Sequence, residues 1–103
     1  MFARKIDTLR RVTIPTALFK MLKFKEFQEV EITIEYGFIC IKAFDSNEIA
    51  KKPHVGVVRK LDHLKRIVIP AEYLKVLKIE PDTEVIITLD GAELKIFSYN
   101  KDS

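Results

Sequence analysis

The chain is poor in the residues that build most chemistry. Its 103 residues include one cysteine, Cys40, two histidines and three glycines. A single cysteine excludes an internal disulfide framework and a thiolate cluster for zinc. His54 and His63 have no second ligand at a metal-binding spacing. There is no phosphate-binding glycine loop and no nucleophile–base set. No enzyme activity, catalytic residue, metal or cofactor is therefore expected. No apolar run approaches the roughly 18 residues needed to span a bilayer. The opening MFARKID has no apolar stretch behind its basic residues, so a cytoplasmic protein without a membrane partner is expected. The net charge of +3 is too small to indicate a partner by itself.

What the chain does have is an internal repeat. RKIDTLRRVTIP, residues 4–15, returns as RKLDHLKRIVIP, residues 59–70. Sliding the chain by 55 residues, the step from Arg4 to Arg59, aligns it with itself without a gap. Lys5/Lys60, Asp7/Asp62, Leu9/Leu64, Arg11/Arg66, Pro15/Pro70 and Lys20/Lys75 are among the identical pairs. The expected organisation is a first repeat over 1–44, a linker over 45–54, a second repeat over 55–99 and a tail over 100–103.

Each repeat carries the same local signals. A strand leads into a tight basic loop, TLRR or HLKR, and a short extended piece, VTI or IVI, reaches proline. The residue before proline is held extended, and proline suits the first turn of a helix. TALFKMLK and AEYLKVLK are thus expected to be short helices, with Lys20 and Lys75 toward their C-terminal ends. A hairpin follows in each repeat, turning near Tyr36-Gly37 and at Asp90-Gly91 between alternating apolar residues.

A unit of about 45 residues rarely buries enough surface to fold alone. A shared core solves this, and a ten-residue linker reaches roughly 33–36 Å. The expectation is a mainly β barrel of two interlocked halves about a pseudo-twofold axis, with one short helix per repeat. Two chains trading halves is the alternative assembly.

The phrase R-K-[IL]-D-x-L-x-R-[IV]-x-I-P, present twice, resembles the AbrB/SpoVT-type transition-state regulators and, more distantly, MazE-like antitoxins. The resemblance spans nearly the whole chain. It implies a swapped-hairpin β-barrel, here made as an intramolecular pseudo-dimer, that binds double-stranded DNA. Carried over by position, it implies DNA contacts from Arg4 and Arg59 on the strand, Arg11 and Arg66 after the loop, and Lys20 and Lys75 on the helix. The family usually has glycine before the loop arginine, where this chain has Arg10 and Lys65. That bears on loop geometry, since glycine enters positive φ freely and arginine does not. The helix often has two adjacent basic residues in the family; here the first of each pair is apolar, Phe19 or Leu74.

Charge is divided in the same sense. Residues 1–23 carry +5 and residues 59–78 carry +4, whereas 24–44 carry −2 and 79–97 carry −4. Two basic segments on one face would attract phosphates, with the acidic hairpins facing away. Arg4, Lys5, Arg10, Arg11 and Lys20, with their repeats Arg59, Lys60, Lys65, Arg66 and Lys75, are the expected DNA-binding set. Asp7 and Asp62 are expected to orient a neighbouring arginine. Phe38 and Cys40 align with Glu93 and Lys95 and should point outward, an apolar patch suited to self-association. The expected function is a DNA-binding regulator of transcription, nucleoid-associated when bound. The alternative is an antitoxin that binds a toxin and its own operator. That reading expects a long toxin-wrapping segment, and only SYNKDS follows the last expected strand.

Overall fold

Among the described residues, eight strands and two short helices follow one another in the order strand, strand, helix, hairpin, twice over. They are β1 (Phe2–Lys5), β2 (Arg11–Thr13), α1 (Thr16–Met21), β3 (Glu29–Glu35), β4 (Phe38–Ala43), β5 (Val57–Lys60), β6 (Arg66–Val68), α2 (Ala71–Leu77), β7 (Glu84–Asp90) and β8 (Glu93–Ser98). The computed structural model describes residues 1–44 and 56–99. The expected linker, 45–54, and the expected tail, 100–103, lie outside the described residues.

The protein is mainly β. One antiparallel sheet has the order β1-β7-β8-β4-β3-β5, and β2 pairs with β6 in a separate two-stranded ribbon. Three kinds of pairing join the repeats. β1 of the first repeat lies on β7 of the second, and β5 of the second lies on β3 of the first. β4 pairs with β8, and β2 with β6. Exchanging residue n for its counterpart in the other repeat carries these pairs onto one another. Phe2↔Ile87 becomes Val57↔Ile32, and Arg11↔Val68 becomes Arg66↔Thr13. Val12↔Ile67 and Cys40↔Lys95 are carried onto themselves. Bonds outside the ladders obey the same exchange: Ile6 N–H donates to Thr83 O and Leu61 N–H to Gln28 O, both at 2.9 Å.

Alternation along the strands explains the core. Val30, Ile32, Ile39 and Ile41 of the first repeat join Val85, Ile87, Leu94 and Ile96 of the second in one buried cluster. The ribbon adds Val12 and Ile67, both fully buried, and the helices add Leu18 and Leu74. Each helix starts where expected, at Thr16 and at Ala71, directly after its proline. Pro15 and Pro70 are caps, with φ −56° for both and ψ 137° and 136°, not first-turn residues. The ring fixes φ in a range helices accept, but the extended ψ leaves 16 and 71 as the first helical residues. Their carbonyls accept bonds from Phe19 N–H and Leu74 N–H.

Among the described residues, six non-glycine residues have positive φ, in three pairs that the repeat relates: Arg10 and Lys65, Lys23 and Lys78, Phe27 and Asp82. A left-handed L-residue costs about 1–2 kcal/mol. The duplicated geometry therefore holds at all three places without glycine. The helices end through Lys23 and Lys78, and the chain closes behind them with Phe24 N–H on Phe19 O (3.1 Å) and Ile79 N–H on Leu74 O (2.9 Å).

One turn differs from expectation. The second hairpin turns through Gly91-Ala92, not Asp90-Gly91, because Asp90 is still paired, opposite Glu93. Gly91 takes φ 64° in the first turn position, whereas Gly37 takes φ 79° in the second. The glycine has moved one place against the repeat.

Candidate nucleic-acid interface

The two basic loops are built by aspartate. Asp7 Oδ1 accepts the backbone N–H of Leu9 (2.9 Å) and of Arg11 (2.8 Å), and its Oδ2 accepts Arg11 Nε–H at 2.7 Å. Asp62 does the same for Leu64 (2.9 Å), Arg66 (2.9 Å) and Arg66 Nε–H (2.6 Å). Arg10 N–H and Lys65 N–H close the turns onto the Asp7 and Asp62 carbonyls, both at 3.0 Å. Closing so short a loop requires the left-handed residue at Arg10 (φ 65°) and Lys65 (φ 62°). The loop thus keeps the backbone that glycine would favour.

Both carboxyls are held below the ordinary aspartate range. The Arg11 amide is the chief cause at Asp7, helped by its guanidinium and the Leu9 amide against some desolvation. At Asp62, burial pushes upward most strongly, and the Arg66 amide and guanidinium together with the Leu64 amide outweigh it. Both stay ionised at neutral pH, and each fixes its arginine by Nε, as their sequence position suggested. Among the described residues the Nη groups of Arg11 and Arg66 make no further hydrogen bond.

Val12 and Ile67 point into the core, so alternation turns Arg11, Thr13, Arg66 and Val68 outward on one face of the ribbon. Arg11 stands opposite Val68 and Arg66 opposite Thr13. The two arginines are diagonal neighbours, at a spacing of roughly 7–8 Å. Each loop also reaches the other repeat's helix. Arg10 Nε–H donates to Ile69 O at 3.3 Å and lines an open groove with Leu74, Lys75, Lys78 and Ile79. Lys65 Nζ lies 5.2 Å above the ring of Phe19 in α1. The apolar residue beside Lys20 is therefore a platform for a cation from the other repeat. Lys20 and Lys75 are exposed in the last turns of their helices.

The remaining expected residues lie on the outer strands of the sheet. Arg4 folds along β1, over Phe2 at 5.5 Å and onto Ala3 O at 2.8 Å. Arg59 bonds Val58 O at 3.1 Å. Lys5 meets Asp82 at 3.2 Å and stands opposite Glu84, while Lys60 stands opposite Glu29. The separation of charge is thus less complete than the sequence segments suggest. Asp82 pairs with Lys5 and Glu29 stands opposite Lys60 in the ladder, and the ribbon group keeps its excess of cations. The hairpin turns lie at the other ends of β3 and β7, roughly 20 Å along the strand.

The expected apolar patch is not open. Cys40 is buried, at 2% exposure, and Phe38 is half-buried beneath Lys95 Nζ, 4.4 Å from the ring centre. Cys40 stands directly opposite Lys95. The charged strand of one repeat covers the apolar strand of the other, because these positions are adjacent where the repeats meet. Lys95 is held by Asp90 at 2.6 Å, which raises its pKa. The Cys40 thiol points to Glu35 Oε2 at 3.5 Å. Burial, then Glu35 and Glu93, pushes it up to about 12. The ligand-type atoms of Glu35, Cys40 and Glu93 lie within 4.8 Å of one another. No sequence spacing announces this group, since it comes from three strands. Among the described residues, no helix is long and apolar enough to cross a membrane.

No family model matches the chain. No curated protein matches it either. Among solved structures, it is similar to the solution structure of PHS018 from Pyrococcus horikoshii, with a TM-score of 0.48 and 15% identity over 92% of this chain and 83% of that one.

Proposed function

We propose that this chain is a DNA-binding regulator of transcription, acting in the cytoplasm at the nucleoid, that presents the β2–β6 ribbon to double-stranded DNA. The observation that carries the reading is the outward pair Arg11 and Arg66, each pinned by its own aspartate and flanked by Arg10 and Lys65. A major groove about 12 Å wide admits a two-stranded ribbon, and arginine grips guanine O6 and N7 through two donors. Nε is occupied by aspartate, so the Nη groups are the ones presented. Arg10, Lys65, Lys20 and Lys75 meet phosphates, which position the ribbon without reading sequence. Arg4 and Lys5 on β1, and Arg59 and Lys60 on β5, extend the phosphate contact along the two end strands of the sheet, with Lys5 first released from its exposed ion pair, a weak restraint.

The finer fold belongs to the same reading. The chain is an intramolecular pseudo-dimer of the swapped-hairpin, AbrB-like kind, a barrel closed by the strands that each repeat lends the other. The exchange relation among the inter-repeat pairs supports a pseudo-twofold axis through Val12↔Ile67 and Cys40↔Lys95. Such an axis matches two half-sites in inverted orientation. Because the repeats differ at Thr8/His63 and Arg10/Lys65, the half-sites need not be identical. Self-association through Phe38 and Cys40 is not part of this reading, because Cys40 is buried.

The test is a titration of duplex DNA at several salt concentrations. The logarithm of affinity should fall linearly with the logarithm of salt, by about 0.9 for each phosphate neutralised. Arg11→Ala with Arg66→Ala should remove most of the preference among sequences and leave residual salt-sensitive binding. Wild-type binding that is absent at low salt, or a double variant that discriminates as wild type does, would overturn the proposal.

A further inference from the structure

Leu9 and Leu64 sit at the tips of the two basic loops, 60% and 52% exposed. A scattered surface leucine needs no explanation. This pair differs in three respects. The residue is repeated: its neighbours on both sides change, Thr8 becoming His63 and Arg10 becoming Lys65, while the leucine stays. It is fixed: its amide is bonded to the loop aspartate, Leu9 N to Asp7 Oδ1 and Leu64 N to Asp62 Oδ1, both at 2.9 Å. It is set among cations, between Thr8 or His63 on one side and two consecutive basic residues on the other. An apolar tip in such a setting is matched by a surface that is anionic overall and apolar at one point.

We infer that Leu9 and Leu64 are specificity-determining residues that contact thymine C5-methyl groups in the major groove. The inference rests on the DNA-binding reading and names what its loops recognise. The major-groove edge of an A·T pair offers that methyl group, and apolar side chains are its natural partners. The loop geometry gives the spacing. The amides of Leu9 and Arg11 converge on the same oxygen, at 2.9 and 2.8 Å, so they stand within two base-pair steps, roughly 7 Å. Leu64 and Arg66 share Asp62 Oδ1 in the same way, both at 2.9 Å. Each half-site therefore joins a guanine, read by arginine, to a thymine under the same loop. Val68, outward on the ribbon and opposite Arg11, extends the apolar edge on the first repeat's side.

The experiment begins with duplexes enriched by the full-length chain from a random-sequence pool. The enriched duplex is then remade with deoxyuridine in place of thymidine, which deletes only the methyl groups. Affinity should fall three- to fourfold for each contacted methyl. Leu9→Ala should bind the thymidine duplex as weakly as wild type binds a duplex with uridine in the corresponding half-site. Leu9→Ala with Leu64→Ala should not distinguish the two duplexes, while its salt slope and circular dichroism match wild type. Equal wild-type affinity for both duplexes, with sequence enrichment intact, would overturn the inference and leave the DNA-binding reading standing. Absence of enrichment and of binding at low salt would overturn both.

Discussion

Ile32→Ala and Ile87→Ala probe whether the repeats share one core. Both isoleucines are fully buried and occupy equivalent places. Ile32 stands opposite Ile41 of its own hairpin and Val57 of the other repeat. Ile87 stands opposite Ile96 of its own hairpin and Phe2 of the other repeat. Truncation to alanine removes three carbons, worth about 0.8 kcal/mol each on transfer. Partial collapse of the cavity raises the total to about 3–4 kcal/mol, within the usual range for such a change. That is a large share of the ~5–15 kcal/mol that holds a domain folded. Amide hydrogen exchange, read residue by residue in both variants, is the assay. Ile32→Ala should lower protection in β7–β8 as much as in β3–β4, and Ile87→Ala should do the converse. If Ile32→Ala leaves β7–β8 with wild-type protection, the repeats are separate folding units and the shared core is wrong.

Three further outcomes follow from local geometry. A Cβ on Gly56 would overlap the Ile32 carbonyl oxygen and stand 2.7 Å from Thr33 Cγ2; Gly56→Ala should cost about 1–3 kcal/mol, measured by urea unfolding, and an unchanged midpoint would mean that β5 sits farther from β3. The folded carboxyl of Asp62 is held low, so its stabilisation is complete above the unfolded value near 3.9 and disappears as pH falls through the folded value. With its side chain a third exposed, Asp62→Asn should lose about 1 kcal/mol or less at neutral pH and almost nothing near pH 2; an equal loss at both would show that the ion pair is not the cause. Cys40, buried and with its thiol pushed up to about 12, should resist a thiol reagent at neutral pH and react fully in urea; rapid native labelling would restore the open patch.

Alternation and repetition made much of this structure legible. Once residues 4–15 are seen to return at 59–70, each element has a second instance to check it. The aspartate's role could be read because one acid stands among basic residues twice. The left-handed backbone at Arg10 and Lys65 could be suspected because glycine is usual there in the family the phrase resembles. What stayed hidden depends on which strand lies beside which. Alternation turned Cys40 away from the isoleucines, correctly, but said nothing of Lys95 on the neighbouring strand. In the same way, nothing near Phe19 in the chain announces Lys65 above it, and nothing near Lys60 announces Glu29. The exposed leucines carried a usable signal, an apolar residue retained in both copies of a polar loop. The displaced turn came from a single glycine out of step with the repeat.

The most direct measurement of the central claim is an amide chemical-shift map of the whole chain as a duplex is added at low salt. The largest changes should fall on residues 8–13 and 63–68, the two loops and the ribbon, with smaller ones at Lys20 and Lys75. The hairpin turns at Tyr36-Gly37 and Gly91-Ala92 should stay near their free positions. Changes centred on those turns, or none at all, would contradict the account.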